Sequence, residues 1–222
     1  MRFQDAARDA RAVVYAGIQA DPLVARIADL LADAEPAQLL LARAAMNGET
    51  TDGERWRAMF PSLFARAASP EALARAEAIL GASLEVADRG EQVRSQFRGA
   101  IVEELTARLL ARRAPEVRRE RRVLFDGVRA EIHPYDVTVE TAGRAEVYDC
   151  KWGSRGINAD VLHQLDDARR HADAEGEKLF VALVLFDARR SCEVRLARST
   201  APREQTRVFT LETIGRLAGR RA

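Results

Sequence analysis

The sequence predicts an α/β domain over residues 93–222, preceded by an all-α region over residues 1–92. Three observations lead to that reading. Apolar residues recur at helical spacing throughout the first part; strand-like patterns replace them after about residue 113; and Leu179–Phe186 is an uninterrupted apolar run of the kind that fills a central strand covered on both faces. With 222 residues and 47% hydrophobic composition, the chain has ample material for a buried core.

In the first part, the helical spacing runs through Ala10–Ile18, Leu23–Leu31, Ala37–Ala45, Trp56–Ala67 and Glu71–Leu80. Pro22, Pro36, Pro61 and Pro70 stand where helices can begin, and Asn47-Gly48 with Asp52-Gly53 marks a turn. Four to six short helices without a reactive constellation are expected, serving as a partner, sensor or dimerisation domain. A longer helical pattern covers Gln92–Arg113. Then Val117–Phe125, Asp136–Glu140 and Ala145–Lys151 read as strands, Ala159–Glu175 as a helix with Asn158 as its cap, and Leu179–Phe186 as a strand. Ser191–Ala197 alternates Cys192, Val194 and Leu196 with Glu193 and Arg195 and reads as a half-exposed strand; Leu211–Leu217 closes with a helix.

Bulk composition excludes several classes. No window reaches the apolar length of a signal h-region or a membrane span, so a cytoplasmic protein without membrane contact is expected, its first residues leading into a helix. Cys150 and Cys192 are the sole cysteines; both read as small buried side chains in strands, which excludes a thiolate zinc site. The net charge of +1 conceals an asymmetry: residues 1–92 hold 10 arginines against 14 acids, and residues 93–222 hold 25 basic residues against 20 acids. A polyanion is therefore expected at the second part.

Within this arginine-rich chain, with 33 arginines, only Lys151 and Lys178 are lysines. A lysine that survives such a bias is a candidate for chemistry that arginine's broad, permanently charged fork cannot do. Lys151 ends the segment Glu146-Val147-Tyr148-Asp149-Cys150-Lys151-Trp152, which sets Asp149 two residues before it on the same strand face. If Asp136–Glu140 and Ala145–Lys151 form a hairpin around Thr141-Ala142-Gly143-Arg144, facing positions sum to a constant and Asp136 lies opposite Asp149. Their Cβ atoms would be about 5 Å apart. Two carboxylates so close call for a cation, and hard oxygen donors favour Mg²⁺ or Mn²⁺. The apolar residues on both faces of the hairpin raise the cost of leaving that charge unpaired.

The preceding helix offers Glu103 and Glu104. Ile101, Val102, Leu105 and Leu109 form its buried stripe, with Glu103 on the flank and Glu104 turned away beside Arg108, so Glu103 is the better inward ligand. In the helix after Lys151, Gln164 and His171 fall at one edge of the buried stripe and His163 faces away. Tyr148 and Trp152 read as packing residues.

Glu103 on a helix, Pro134-Tyr135-Asp136, Asp149-Cys150-Lys151 and then Gln164 on the next helix resemble the PD-(D/E)xK nuclease superfamily, over roughly residues 94–190. The resemblance implies a restriction-endonuclease-like fold and a metal-dependent nuclease, a DNA endonuclease above all, using Mg²⁺ or Mn²⁺. It implies that Asp136, Asp149 and the main-chain carbonyl of Cys150 ligate the metal, that Glu103 completes or extends the site, that Lys151 orients the attacking water and offsets transition-state charge, and that Gln164 positions the nucleophile or phosphate. A homodimer, or a larger complex assembled through the N-terminal helices, is expected. The alternatives are a non-catalytic nucleic-acid or protein-binding module on the same fold and an RNA-directed nuclease.

Overall fold

A computed structural model describes residues 1–6, 10–65, 69–129, 133–141, 144–199, 201 and 206–219. The chain divides into two compact units, Ala10–Leu105 and Met1–Asp9 with Thr106–Ala222. The boundary expected near residue 92 thus falls further on, inside one continuous helix, because nothing in Glu91–Ala111 breaks it. The first residues do not lead directly into a helix: Arg2–Asp5 form a strand and take their place in the α/β unit.

The unit Ala10–Leu105 is all-α: α1 (Ala10–Gln19), α2 (Pro22–Ala32), α3 (Pro36–Asn47), α4 (Gly53–Met59), α5 (Pro70–Ala87) and the larger part of α6 (Glu91–Ala111). Three of the four prolines stand at helix starts. Pro22, Pro36 and Pro70 occupy first-turn positions, where a missing N–H costs nothing, and Asp21 and Ser69 cap the amides of Leu23 and Ala72. Gln38 reaches back to the amide of Glu35 at 3.1 Å. Pro61 instead follows α4, which ends at Met59, short of the expected span; Ala67 lies outside the described residues. Helix α5 packs on α2 and α3, burying Val24, Ile27, Leu41, Met46, Ile79 and Leu80.

The α/β unit is built on a seven-stranded mixed sheet. Its strands are β1 (Arg2–Asp5), β2 (Val117–Phe125), β3 (Val128–Arg129), β4 (Tyr135–Thr141), β5 (Arg144–Lys151), β6 (Leu179–Leu185) and β7 (Arg207–Phe209), in the order β1-β2-β4-β5-β6-β7 with β3 hairpinned on β2. The pairs are antiparallel up to β4–β5, and β5–β6 and β6–β7 are parallel. The β5–β6 crossover carries α7 (Ala159–Ala174), capped by Asn158 on the amide of Val161 at 2.9 Å. Leu162, Leu165, Ala168 and Ala172 of α7 pack on Ala145, Val147, Val181, Leu183 and Leu185 of the sheet. The central β6 is buried nearly throughout, as its apolar run requires.

One expectation fails in the C-terminal part. Ser191–Ala197 lies in a helix, α8 (Arg189–Ala197), not a strand. Cys192 and Leu196 stand four apart, which suits one helix face as well as strand alternation, Val194 is exposed, and Arg189 and Glu193 form an i, i+4 ion pair at 2.6 Å. The helix expected over Leu211–Leu217 is present as a short 3₁₀ turn at Ile214–Ala218, which Gly219 ends at a left-handed φ of 76°. Both cysteines are buried and free. Among the described residues no helix is long and apolar enough to cross a membrane.

Candidate metal centre

The β4–β5 ladder has the register expected from counting, with Val137 opposite Tyr148 and Glu140 opposite Ala145. At its open end the pairing departs from a regular ladder. Val137↔Tyr148 is the last paired position, and Asp136 turns its carboxylate onto the main chain, Oδ2 accepting from the Cys150 amide at 2.6 Å. On its other side β2 skips the same residue: Arg119 pairs with Val137 and Arg121 with Tyr135, while the intervening Glu120 takes a left-handed φ of 52°. A non-glycine residue pays for that conformation, and here the cost coincides with the strand position that carries Asp136.

Strand β5 supplies Asp149 and Lys151 from the face that Ala145 and Val147 use to meet α7, so both project at the C-terminal end of the parallel pair. The Lys151 ammonium contacts Asp149 Oδ1 directly and lies 3.8 Å from Asp136 Oδ2. Asp149 is 5% exposed, whereas the Lys151 side chain keeps 31% of its surface open. Burial opposes the charged form of Lys151 most strongly, but Asp136 and Asp149 together outweigh it and hold its pKa above the ordinary lysine value. Lys151 is therefore an ammonium at neutral pH, a donor and a charge rather than a base. Two carboxylates against one ammonium leave the cluster with a net charge of about −1, which attracts a further cation.

A small loop holds the lysine from behind. The Phe186 amide donates to the Lys151 carbonyl at 2.9 Å, and the Trp152 ring stacks on Phe186 at 4.9 Å, the packing role expected of it. The Ser154 amide donates to Asp187 Oδ2 at 2.9 Å, while Asp187 Oδ1 takes the Ala188 amide at 2.8 Å. Gly156 then lies flat on the lysine stem: a Cβ there would meet Lys151 Cβ at 2.6 Å and Cγ at 2.7 Å. Neither Gly156 nor Asp187 is apparent from spacing along the chain, although an aspartate directly after a fully apolar strand is a usable signal.

The remaining sequence candidates are placed as follows. The Gln164 side chain is buried with its Oε1 accepting from the His133 amide at 3.2 Å and its Nε2 donating to the His133 carbonyl at 3.1 Å. That reciprocal pair fixes the chain just before Pro134 and β4. His163 is exposed, and His171 stacks on Phe125 at 5.4 Å. Cys150 turns its thiol to the opposite sheet face, 3.5 Å from Thr106 Oγ1, and contributes its amide to Asp136. Glu103 is buried in the helical unit, where its carboxylate accepts from Tyr15 Oη at 2.6 Å and Gln19 Nε2 at 2.8 Å.

Among the described residues no group of three or more histidine, cysteine, aspartate or glutamate side chains is placed to hold a metal. Asp136 and Asp149 make a two-carboxylate set. Mg²⁺ is commonly held by one or two carboxylates, with water and substrate phosphate completing its octahedron, and a pair of hard oxygens fits that requirement. Asp149 Oδ1 is buried, with the Lys151 ammonium against it. No family model, no curated protein and no solved structure matches the chain.

Proposed function

We propose that the α/β unit is a restriction-endonuclease-like, divalent-metal-dependent nuclease that hydrolyses phosphodiester bonds, with DNA as its substrate. The observation that carries the reading is the convergence of Asp136, Asp149 and Lys151 at the C-terminal end of β5. Asp136 and Asp149 would hold Mg²⁺ or Mn²⁺, joined by the Cys150 main-chain carbonyl. Bound there, the ion would supply an acidified water and neutralise phosphate charge. Lys151, protonated, donates to a phosphate oxygen and offsets the negative charge that grows on it; the Gly156 contact restricts the stem that aims it. The Cys150 amide fixes one oxygen of Asp136, and Gln164 fixes the main chain before β4, so both act by positioning. Glu103 is left outside this ligand set because Tyr15 and Gln19 already engage its carboxylate.

Incubating the full chain with double- and single-stranded DNA and RNA in Mg²⁺ or Mn²⁺ tests the proposal, beside Asp149→Ala and Lys151→Ala. Metal-dependent cleavage lost in both variants supports it; equal activity in all three proteins sinks it. A binding module without catalysis is favoured by one fact, that Lys151 already partly neutralises the carboxylates. Calorimetric titration separates the readings, since the nuclease requires Mg²⁺ or Mn²⁺ binding that disappears in the Asp136→Asn/Asp149→Asn double variant. Cutting both strands would need two such sites, hence a homodimer or larger complex. A strictly monomeric mass combined with double-strand cutting would contradict that.

A further inference from the structure

On the opposite sheet face from Asp149 and Lys151 lies a second feature of the α/β unit. The parallel register sets Tyr148 against Ala182 and Ala182 against Arg207, so Tyr148, Phe180, Arg207 and Phe209 project from one face. The 3₁₀ turn adds Arg216, and α6 is followed by Arg113; together they border a cleft of about 410 Å³. That size lies within the range of small-molecule sites, roughly 300–1,000 Å³.

Charge and shape in the cleft are unequal among its arginines. Arg113 is spoken for: its guanidinium donates to both oxygens of the fully buried Glu146 and to Tyr148 Oη at 2.9 Å, and its Nε donates to the Leu217 carbonyl at 2.7 Å. It builds the floor. Arg207 and Arg216 are exposed at the rim, and no carboxylate is among the described residues lining the cleft. Phe180 and Phe209 also line the cleft and are half-buried, the Phe180 ring lying 6.0 Å from that of Tyr148.

We propose that this cleft binds a nucleotide unit, its phosphate on the guanidinium forks of Arg207 and Arg216 and its base on the rings of Phe180 and Phe209. Guanidinium matches the bidentate geometry of phosphate, and a half-exposed phenyl ring offers a sequence-tolerant stacking face. An anion lacking a flat apolar part would use the rim and leave the rings uncovered. A neutral aromatic would leave two cations unanswered. The unit could come from a free mononucleotide or from a nucleic-acid strand, which share this chemistry.

The full chain is titrated in EDTA with AMP by calorimetry and with a fluorescein-labelled single-stranded oligonucleotide by anisotropy. At least one probe is expected to bind. The Arg207→Ala/Arg216→Ala double variant should weaken that binding about tenfold or more, Phe209→Ala should weaken it too, and Arg207→Lys/Arg216→Lys should fall between. AMP binding that responds to these variants assigns a free nucleotide; a response confined to the oligonucleotide assigns a strand. Absence of binding by both probes, or a double variant that binds like the wild type while retaining its thermal transition, overturns the proposal. Both titrations are run in EDTA, which withholds the metal that the Asp136–Asp149 site would require, and are read through variants on the other sheet face, so the result stands apart from that of the cleavage test.

Discussion

Arg113→Met isolates the cost of a buried charge in the α/β unit. Glu146 has no exposed surface, and its carboxylate is balanced by the Arg113 guanidinium through paired N–H donors, with Tyr148 Oη as a further donor at 2.5 Å. Methionine retains much of the arginine stem but removes the charge and the donors to Glu146, Tyr148 and Leu217. Removing one partner of a buried pair costs about 3–5 kcal/mol, and because the Arg113 side chain is 25% exposed, water can reach the vacated space and the lower end applies. With a urea dependence of about 2 kcal/mol/M, a loss of about 3 kcal/mol lowers the unfolding midpoint by about 1.5 M. Adding Glu146→Gln removes the stranded charge, so the double variant should recover about half of that loss, and the coupling should be that recovery of about 1.5 kcal/mol plus whatever Glu146→Gln costs alone. Urea titrations of the four proteins followed by circular dichroism supply the cycle. Strict additivity, or a midpoint shift below about 0.3 M for Arg113→Met, would refute the view that Glu146 depends on this guanidinium.

Gly156→Ala places a Cβ within 2.6 Å of the Lys151 stem, so the lysine must move by a fraction of an ångström to an ångström; cleavage should fall about 10²-fold while the thermal transition stays within a few degrees. Lys151→Arg should also fold and lose cleavage by about 10²-fold, because the broad guanidinium cannot follow the path that Gly156 leaves for a lysine; normal cutting by the arginine variant would remove Lys151 from the mechanism. Gly48→Ala brings a Cβ to 2.5 Å from Trp56 Cζ2, and the indole is pinned by its 3.0 Å bond to the Thr50 carbonyl, so a loss of about 1–3 kcal/mol with altered tryptophan fluorescence is expected in urea titration. Arg57 holds the Glu77 carboxyl below its ordinary pKa of 4.5 through bonds of 2.9 and 2.7 Å, outweighing burial. A depressed folded-state pKa stabilises the fold above 4.5 and loses that contribution as pH falls through the folded value. Both side chains are over a third exposed, so the contribution is about 0.5 kcal/mol, and Glu77→Gln should lower stability at pH 7 by an amount that shrinks as pH falls below 4.5.

The legibility of the fold varied with the range of the interactions that decide it. Helix starts at Pro22, Pro36 and Pro70 could be read because capping is settled within four residues. The Ser191–Ala197 pattern could not, because three apolar residues two apart satisfy a strand and, through Cys192 and Leu196, a helix. Strand β1 carries no apolar stripe of its own and exists through its pairing with β2. Asp126-Gly127, with φ of 48° and 80°, is a hairpin signal that was available in the sequence and turns β2 into β3.

What the sequence by itself determined was the β4–β5 register and, through it, the meeting of Asp136, Asp149 and Lys151, because a hairpin of fixed loop length aligns its strands by counting. The tertiary structure decided the surroundings of those groups. It stopped the ladder at Val137 so that Asp136 takes the Cys150 amide, and it raised rather than lowered the lysine pKa. It gave Glu103 to Tyr15 and Gln19, 88 and 84 residues away, and brought β7 beside β6 to form the arginine-rimmed cleft. Each of those outcomes depends on burial and on partners distant in the chain, which local spacing does not encode.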